Sequence, residues 1–235
     1  GVFTSLGFQV VGITSPFALL LLWLVGGVYA LCGALSYGEL AAAMPRSGGE
    51  YHFLSRIYHP AVGFVAGWVS VTVGFAAPVA AASMALGKYL SRVFPALPAT
   101  GVALAVAVAI SLIHFGSART RSGFQSLATS FKVLLIVGLV LCGLILAVPQ
   151  PLSWMPHIRD LRVCASPAFA VSLVYVTYSY SGWNASVYLA SEVKDPARTI
   201  PRSLLAGTLI VMALYLLLNF VFLYTTPMKV LAGQV

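Results

Sequence analysis

The residues best placed to bind a small molecule form one polar run, TYSYSGWN at 177–184, inside a hydrophobic stretch at 166–191. The run puts hydroxyls, a glycine, an indole and an amide where a lipid-buried helix would carry Leu or Ala. Glycine tolerates unwound backbone, and within a membrane such backbone persists only where it lines a cavity. We therefore predict a binding site built from freed N–H and C=O groups.

A second chemical feature is Lys132, in the apolar segment SLATSFKVLLIVGLVLCG. It lies about ten residues into that segment, or about 15 Å deep at 1.5 Å per residue. That depth is near the middle of a hydrocarbon core about 30 Å thick. An ammonium there is costly and usually faces a cavity or a partner. The alternative is a lysine that snorkels to the interface, and the depth argues against it.

The other chemically active residue types form no cluster in the sequence. The three cysteines have neither metal-ligand spacing nor a disulfide framework. No two of the four histidines have metal-ligand spacing on one face. A membrane enzyme would need a nucleophile with a base, or metal ligands, near one interface. We therefore predict no enzyme, no catalytic residues, no metal and no cofactor.

The composition requires a membrane. Of the 235 residues, 60% are hydrophobic and 8% charged, and the mean hydropathy is +0.97; soluble domains have roughly 25% charged residues. The net charge of +8 does not indicate nucleic-acid binding, because the basic residues are spread between apolar segments. We predict one multi-pass domain over residues 1–235, integral to the cell membrane. Because it opens and stops beside hydrophobic stretches, we interpret it as a fragment truncated at both ends.

The hydrophobic segments follow from the need for about 20 apolar residues per membrane helix. Their predicted bounds are 1–14, 16–44, 61–92, 99–116, 122–147, 166–191 with a break near 179–183, and 201–226. The first is too short to cross and the sixth is interrupted, and these two are five segments apart. That offset is typical of a five-plus-five inverted repeat, whose paired broken helices meet at the bilayer midplane.

The segment MPRSGGEYHFLSRIYHP at 44–60 predicts a short amphipathic helix on one side of the membrane. Ser47 and Glu50 have capping-box spacing, and this side carries the larger share of Lys and Arg, which favours the cytoplasm. Two interpretations stay open: a plain interfacial connector, or an inner gate that includes Tyr51.

Three acidic residues lie near the cytoplasmic ends of the second and sixth segments: Glu39, Glu192 and Asp195. They are either solvated helix ends that pair with nearby Arg or inner-gate ion pairs. Asp195 followed by Pro196 also suits the start of a helix.

Two long motifs resemble the amino acid–polyamine–organocation transporters. ALSYGELAAAMPRSGGEYHFL at 34–54 is similar to the end of helix 2 and the following loop in that superfamily. The matching residues are Tyr37, Glu39, Leu40, Pro45, Ser47, Gly48, Gly49, Tyr51 and Leu54. The opening Gly1-Val2-Phe3 resembles the end of the glycine-rich break in the family's helix 1.

The second motif, YSYSGWNASVYLASEVKDPARTIPRSL at 178–204, resembles helix 6 and the next loop, closest to the L-type amino acid transporter branch. The matching residues are Tyr180, Gly182, Trp183, Asn184, Glu192, Lys194, Pro196, Arg198, Ile200 and Pro201. Three positions depart from the pattern: Tyr178 replaces a Phe, Ser191 an acidic residue and Asp195 an Asn.

The resemblance implies an all-α polytopic membrane protein with the leucine-transporter-like five-plus-five fold, of which the second half of helix 1 to helix 7 is present. It also implies a secondary active transporter that works by alternating access. Its inner gate would include Glu39, Tyr51 and Glu192. Its substrate is implied to be an amino acid.

The resemblance also assigns roles at the two breaks. Backbone N–H groups of Gly1, Val2 and Phe3 would receive the substrate carboxylate, since a helix N-terminus favours anions. The substrate amine would go to carbonyls in the sixth segment. The residues that supply or surround them are Tyr178, Ser179, Ser181, Gly182, Trp183 and Asn184, with Tyr178 as an outer aromatic gate.

Lys132 fits the helix 5 position at which several L-type-like members replace the sodium ion of sodium-coupled relatives. It would then tie helix 5 to helix 1 and make transport sodium-independent. Desolvation at that depth favours loss of its proton, so proton coupling and exchange both stay open.

The segment interiors contain no Asp or Glu away from their ends. A second substrate ammonium would therefore lack a counter-charge, which predicts a neutral amino acid. A cationic amino acid or polyamine transporter and a transporter-like nutrient receptor stay as alternatives. Animal L-type relatives pair with a single-span glycoprotein and many bacterial relatives do not, so an accessory subunit is left undecided.

Overall fold

The computed structural model describes residues 1–115, 118–150 and 157–233, and these residues are helical with no strand. The helices are α1 (Val2–Gly12), α2 (Pro16–Ala43), α3 (Gly49–Ile57), α4 (Pro60–Val69), α5 (Ala76–Val93), α6 (Ala99–His114), α7 (Ala118–Leu146), α8 (Ile158–Cys164), α9 (Pro167–Tyr180), α10 (Pro196–Thr225) and α11 (Met228–Leu231). A π-helical turn, Ser70–Phe75, joins α4 to α5, and a 3₁₀ segment, Trp183–Glu192, follows α9. The predicted all-α class is confirmed.

Four stretches of the described helices are long and apolar enough to cross a bilayer. They are Pro16–Ala43, Pro60–Val93, Ser122–Leu146 and Pro196–Thr225. A helix rises 1.5 Å per residue, so about 20 residues span the hydrocarbon core. The predicted integral membrane protein is confirmed.

The chain divides into two compact units. The first contains Gly1–Gly49 and Leu134–Val235, and the second contains Glu50–Val133. Both helix interruptions predicted to bind substrate, at the start of α1 and after α9, belong to the first unit.

Helix α2 is the centre of the first unit, where it packs against α8, α9, α10 and the 3₁₀ segment. Its largest fully buried side chains are Leu19, Leu22 and Trp23. A Cβ at Gly27 would lie 2.6 Å from Cγ of Met212, and one at Gly38 would lie 3.2 Å from Cα of Pro201. Small residues on α2 therefore let the α10 backbone approach closely, as in many membrane helix pairs.

Helix α10 begins at Pro196, earlier than the predicted start at 201, and Pro201 lies inside it. Asp195 precedes it with φ +50° and ψ 61°, in the left-handed region. Pro196 suits the first helical position because its missing N–H has no intrahelical acceptor there. Pro201 removes only one further hydrogen bond close to the helix start, so the helix continues through it.

In the second unit, the third hydrophobic segment is irregular just before Pro78. The π-helical turn Ser70–Phe75 ends three residues ahead of that proline. Proline has no N–H and its ring collides with the carbonyl four residues earlier, here Gly74. Widening of the preceding turn is a common way for a helix to accommodate this.

In the first unit, Asp160 of α8, whose side chain is buried, contacts the residues before α2 and α8. Its Oδ2 accepts the His157 N–H at 2.8 Å, and its carboxylate also accepts a hydrogen bond from the Ser15 side chain. Ser15 Oγ in turn accepts the Ala18 N–H at 3.2 Å and caps α2. One carboxylate therefore links α8 to the start of α2.

These contacts predict that the junction between α8 and the start of α2 is sensitive to acid. The Ser15 hydroxyl, followed by the His157 N–H, lowers the pKa of Asp160. A lowered folded-state pKa stabilises the fold above the ordinary unfolded value of about 3.9, and this stabilisation is lost as pH falls through the folded-state pKa. We expect Asp160→Asn to lower the melting temperature at pH 7, and the difference from wild type to shrink below about pH 4. Thermal unfolding from pH 3 to 7 checks this; a pH-independent difference would contradict it.

Candidate functional site

The sixth hydrophobic segment stops being an α-helix at Ser181 and Gly182. Helix α9 ends at Tyr180, and Ser181 is extended with φ −63° and ψ 159°. Gly182 follows with φ +104° and ψ −8°, a region that residues with a Cβ rarely adopt. The interruption lies within the predicted range 179–183.

Serine hydroxyls donate hydrogen bonds to some of the backbone carbonyls at this interruption. Ser181 donates both its N–H, at 3.1 Å, and its Oγ–H, at 2.7 Å, to the Tyr178 carbonyl. Ser179 Oγ donates to the Tyr175 carbonyl at 2.9 Å. A carbonyl has two lone pairs, so Tyr178 C=O, one of the predicted amine acceptors, is already occupied. The next two carbonyls, of Ser179 and Tyr180, precede the change of backbone direction at Ser181 and Gly182.

Trp183 holds the residues after the interruption against α2. Its indole meets the Tyr37 ring edge-on, with centroids 5.0 Å apart and planes at 85°. A Cβ at Gly33 would lie 2.6 Å from Cζ2 of this indole. The absence of a side chain at Gly33 therefore creates the seat for Trp183, which is half-buried there, as is Asn184.

The other predicted interruption falls at the start of α1. This helix begins at Val2, and its first described backbone bond joins the Ser5 N–H to the Gly1 carbonyl at 3.1 Å. The leading N–H groups of a helix have no intrahelical acceptor and carry the positive end of its dipole. Val2 is buried, whereas the Phe3 ring is partly exposed and meets Phe222 at 6.3 Å.

A buried polar and aromatic cluster joins α1 and α9 to α2 and α10. Trp23 Nε1 donates to Gln9 Oε1 at 3.0 Å, and the Tyr180 hydroxyl donates to the Trp23 carbonyl at 3.1 Å. The Tyr215 ring lies 5.1 Å from that of Tyr180 and 5.7 Å from that of Trp23. Tyr180, the last residue of α9, is therefore anchored in the core immediately before the interruption.

This cluster predicts a clear coupling between Trp23 and Gln9. Indole is only a donor, so Trp23→Phe leaves the buried Gln9 Oε1 without its partner, at a cost of about 1–3 kcal/mol. Replacing both partners with apolar groups, Trp23→Phe with Gln9→Met, should recover part of that loss. Unfolding of both variants and of Gln9→Met alone checks the coupling; additive losses would contradict it.

The predicted inner-gate residues are divided between the two compact units. Glu39 and Glu192 are exposed, and neither forms an ion pair with a described residue. Tyr51 belongs to the second unit, where its ring packs on Gly67: a Cβ at Gly67 would lie 3.2 Å from Cδ2 of the ring. Their gating role therefore stays a prediction.

Ser47 has a partner that its local spacing did not predict. Its Oγ accepts the Ser191 N–H at 2.9 Å, and its own N–H donates to Ser191 Oγ at 3.0 Å. Helix α3 begins at Gly49, directly after this contact. No signal in the sequence pairs two serines so far apart, because their contact depends on how α2 and the 3₁₀ segment pack.

Lys132 lies midway along α7, and its side chain is exposed. It belongs to the second unit, whereas α1 belongs to the first. The predicted tie between helix 5 and helix 1 therefore stays a prediction. Among the residues that the structure describes, no group of three His, Cys, Asp or Glu could hold a metal ion.

An all-helical membrane protein with a helix interrupted inside a hydrophobic segment has a general feature of solute transporters. The amino acid permease family model matches residues 1–234. The chain therefore belongs to the amino acid permease family.

Individual relatives agree with this assignment. The large neutral amino acids transporter small subunit 2 of Mus musculus is 25% identical, over 92% of this chain and 42% of its own length. The serine/threonine exchanger SteT of Bacillus subtilis is 26% identical, over 86% of this chain and 45% of its own. The b(0,+)-type amino acid transporter 1 of Mus musculus is 25% identical, over 92% of this chain and 46% of its own length. The chain thus spans less than half the length of these relatives. Since the family and these relatives are transporters, the protein is not an enzyme.

Proposed function

We propose that this chain forms the first half of a secondary active transporter that carries neutral amino acids across the cell membrane by alternating access. The observation that carries this proposal is the Ser181–Gly182 break inside a hydrophobic segment, in the same compact unit as α1. Interrupted helices supply opposite partial charges without charged side chains.

A zwitterionic amino acid requires an anion site and a cation site. The N–H groups at the start of α1, at Gly1, Val2 and Phe3, receive the carboxylate. Carbonyls of the interrupted sixth segment receive the ammonium, and Ser179 and Tyr180 are the best placed because the Tyr178 carbonyl already accepts two hydrogen bonds. The half-exposed Tyr178 ring covers the substrate from outside.

Selectivity for neutral substrates rests on the distribution of acidic residues. Glu39 and Glu192 lie at the ends of their segments, and both are exposed. Asp160 is engaged by Ser15 and His157. No carboxylate remains in the hydrophobic segments to pair with a second substrate ammonium. Two relatives carry neutral substrates in their names, large neutral amino acids and serine/threonine.

Coupling is assigned to Lys132, whose ammonium takes the place of a sodium ion and makes transport sodium-independent. Exchange is the favoured mode, because one relative is named an exchanger; proton coupling is the alternative. The large neutral amino acids transporter of Mus musculus is named a small subunit, which suggests a partner subunit for this protein as well. Copurification from the native membrane tests for such a partner.

The proposal is tested in proteoliposomes that contain a transporter with this chain and the second half of the repeat. We expect uptake of labelled neutral amino acids without a sodium gradient, competed by unlabelled neutral but not cationic ones. Competition by cationic amino acids alone would favour the cationic or polyamine alternative. Specific binding without counterflow would favour a nutrient receptor.

A further inference from the structure

Two serines far apart in the chain bind each other reciprocally at the end of the interrupted sixth segment. The Ser47 N–H donates to Ser191 Oγ at 3.0 Å, and the Ser191 N–H donates to Ser47 Oγ at 2.9 Å. Each residue is therefore both donor and acceptor through its own backbone and side chain. This ring closes only when the loop after α2 and the end of the 3₁₀ segment are in contact.

A second contact lies beside this pair. A Cβ at Gly49 would lie 2.7–2.9 Å from three ring atoms of Tyr188, which is in the turn before Ser191. Gly48 and Gly49 have φ of 121° and 53°, so the loop turns under the tyrosine ring in a conformation that favours glycine. The loop and the 3₁₀ segment are thus held together both by packing and by hydrogen bonds.

The position of the pair relative to the break gives it a mechanical role. Ser191 lies at the far end of Trp183–Glu192, the segment that begins directly after Gly182. Any rotation about the break would move this end most and would have to separate Ser191 from Ser47. Both serines are exposed, so water can replace the two bonds, and each shifts an equilibrium only about two- to tenfold.

We propose that Ser47 and Ser191 form an inner latch, which holds the cytoplasmic half of helix 6 against the loop after helix 2 while the inner pathway is closed. The latch opens when that half moves to release substrate. This inference rests on the proposed transport function. Because both partners are neutral, the latch is insensitive to ionic strength, in contrast to an exposed ion pair.

Crosslinking tests the latch in the transporter that contains this chain. Ser47→Cys and Ser191→Cys are introduced together after Cys32, Cys142 and Cys164 are replaced by Ser. We expect oxidation to form a disulfide between the two new cysteines and to lower the uptake rate at least tenfold. A reductant should restore uptake, and substrate binding from outside should persist. Each single cysteine variant, treated in the same way, is the control.

A milder variant separates the latch from a general structural role. The double variant Ser47→Ala with Ser191→Ala should change the maximal uptake rate two- to tenfold and leave substrate affinity within twofold. It should also speed the labelling of the chain's own cysteine thiols by a reagent added from the cytoplasmic side. Ser186→Ala is the matched control, because it removes a serine hydroxyl from the same segment, one that donates locally to the Trp183 carbonyl at 3.5 Å, and it should change none of these.

The outcomes distinguish the two proposals. Absence of amino acid uptake by the unmodified transporter contradicts the proposed function and the latch with it. Normal uptake by the unmodified transporter, combined with failure of the cysteine pair to crosslink or with full uptake after crosslinking, overturns the latch alone.

Discussion

Replacement of Gly182 with alanine should lower amino acid uptake about five- to thirtyfold while the protein still inserts and folds. At φ +104° Gly182 occupies a conformation that is unfavourable for residues with a Cβ, by about 1–2 kcal/mol, which corresponds to that factor. A Cβ at Gly182 would meet no atom within 4 Å, so no steric clash contributes. The substitution therefore acts on the backbone of the break alone, and it favours a continuous helix with fewer freed carbonyls.

Gly207→Ala is the matched control for this prediction. Gly207 lies within α10 with ordinary helical geometry, and a Cβ there would also meet no atom within 4 Å. In a helix interior, alanine is more favourable than glycine by about 1 kcal/mol. Uptake by Gly207→Ala should match wild type. Equal uptake by both variants would show that the left-handed residue is unnecessary and would contradict the assignment of the break.

Removal of the Lys132 ammonium should have the largest effect of any single side chain outside the breaks. We expect Lys132→Ala to lower uptake more than about tenfold with membrane insertion intact, because it removes the positive charge that the proposal puts in place of a sodium ion. Uptake of the wild-type transporter should be the same in sodium and in choline buffers. The measurement is initial-rate uptake in both buffers, normalised to the amount of inserted protein.

Two control variants refine this test. Lys88→Ala removes an exposed lysine near the end of α5 and should leave uptake unchanged. Lys132→Arg keeps the positive charge and should retain more uptake than Lys132→Ala. Full activity of Lys132→Ala, or steep sodium dependence of the wild type, would refute the cation-substitute role.

The sequence predicted those features that depend on local chemistry. A run of Ser, Gly and aromatic residues marked the interruption of the sixth segment, since Gly182 alone among its residues tolerates a positive φ at no steric cost. The boundary between the first two helices next to Pro16, and the position of the break near 179–183, were predicted from the same kind of local signal. The start of α10 was misplaced because Pro201 and Pro196 are both acceptable near a helix start.

Features that depend on packing between distant helices were not predictable from the sequence. Gln9 with Trp23, Ser15 with Asp160, and Ser47 with Ser191 are long-range pairs whose contacts exist only once α2 has found its neighbours. Each member has several local roles open to it, such as the capping-box spacing of Ser47 and Glu50. A single chain provides no signal that selects the distant partner over these.

The central claim, that the two helix interruptions form a site for a neutral amino acid, is tested most directly by counterflow. Proteoliposomes that contain the transporter are preloaded with one unlabelled neutral amino acid, and entry of a labelled one is followed without sodium. The account predicts accelerated entry of label, abolished when cold neutral amino acid is omitted and reduced at least fivefold by Gly182→Ala. Entry that is unaffected by preloading, or that is driven only by cationic amino acids, would contradict it.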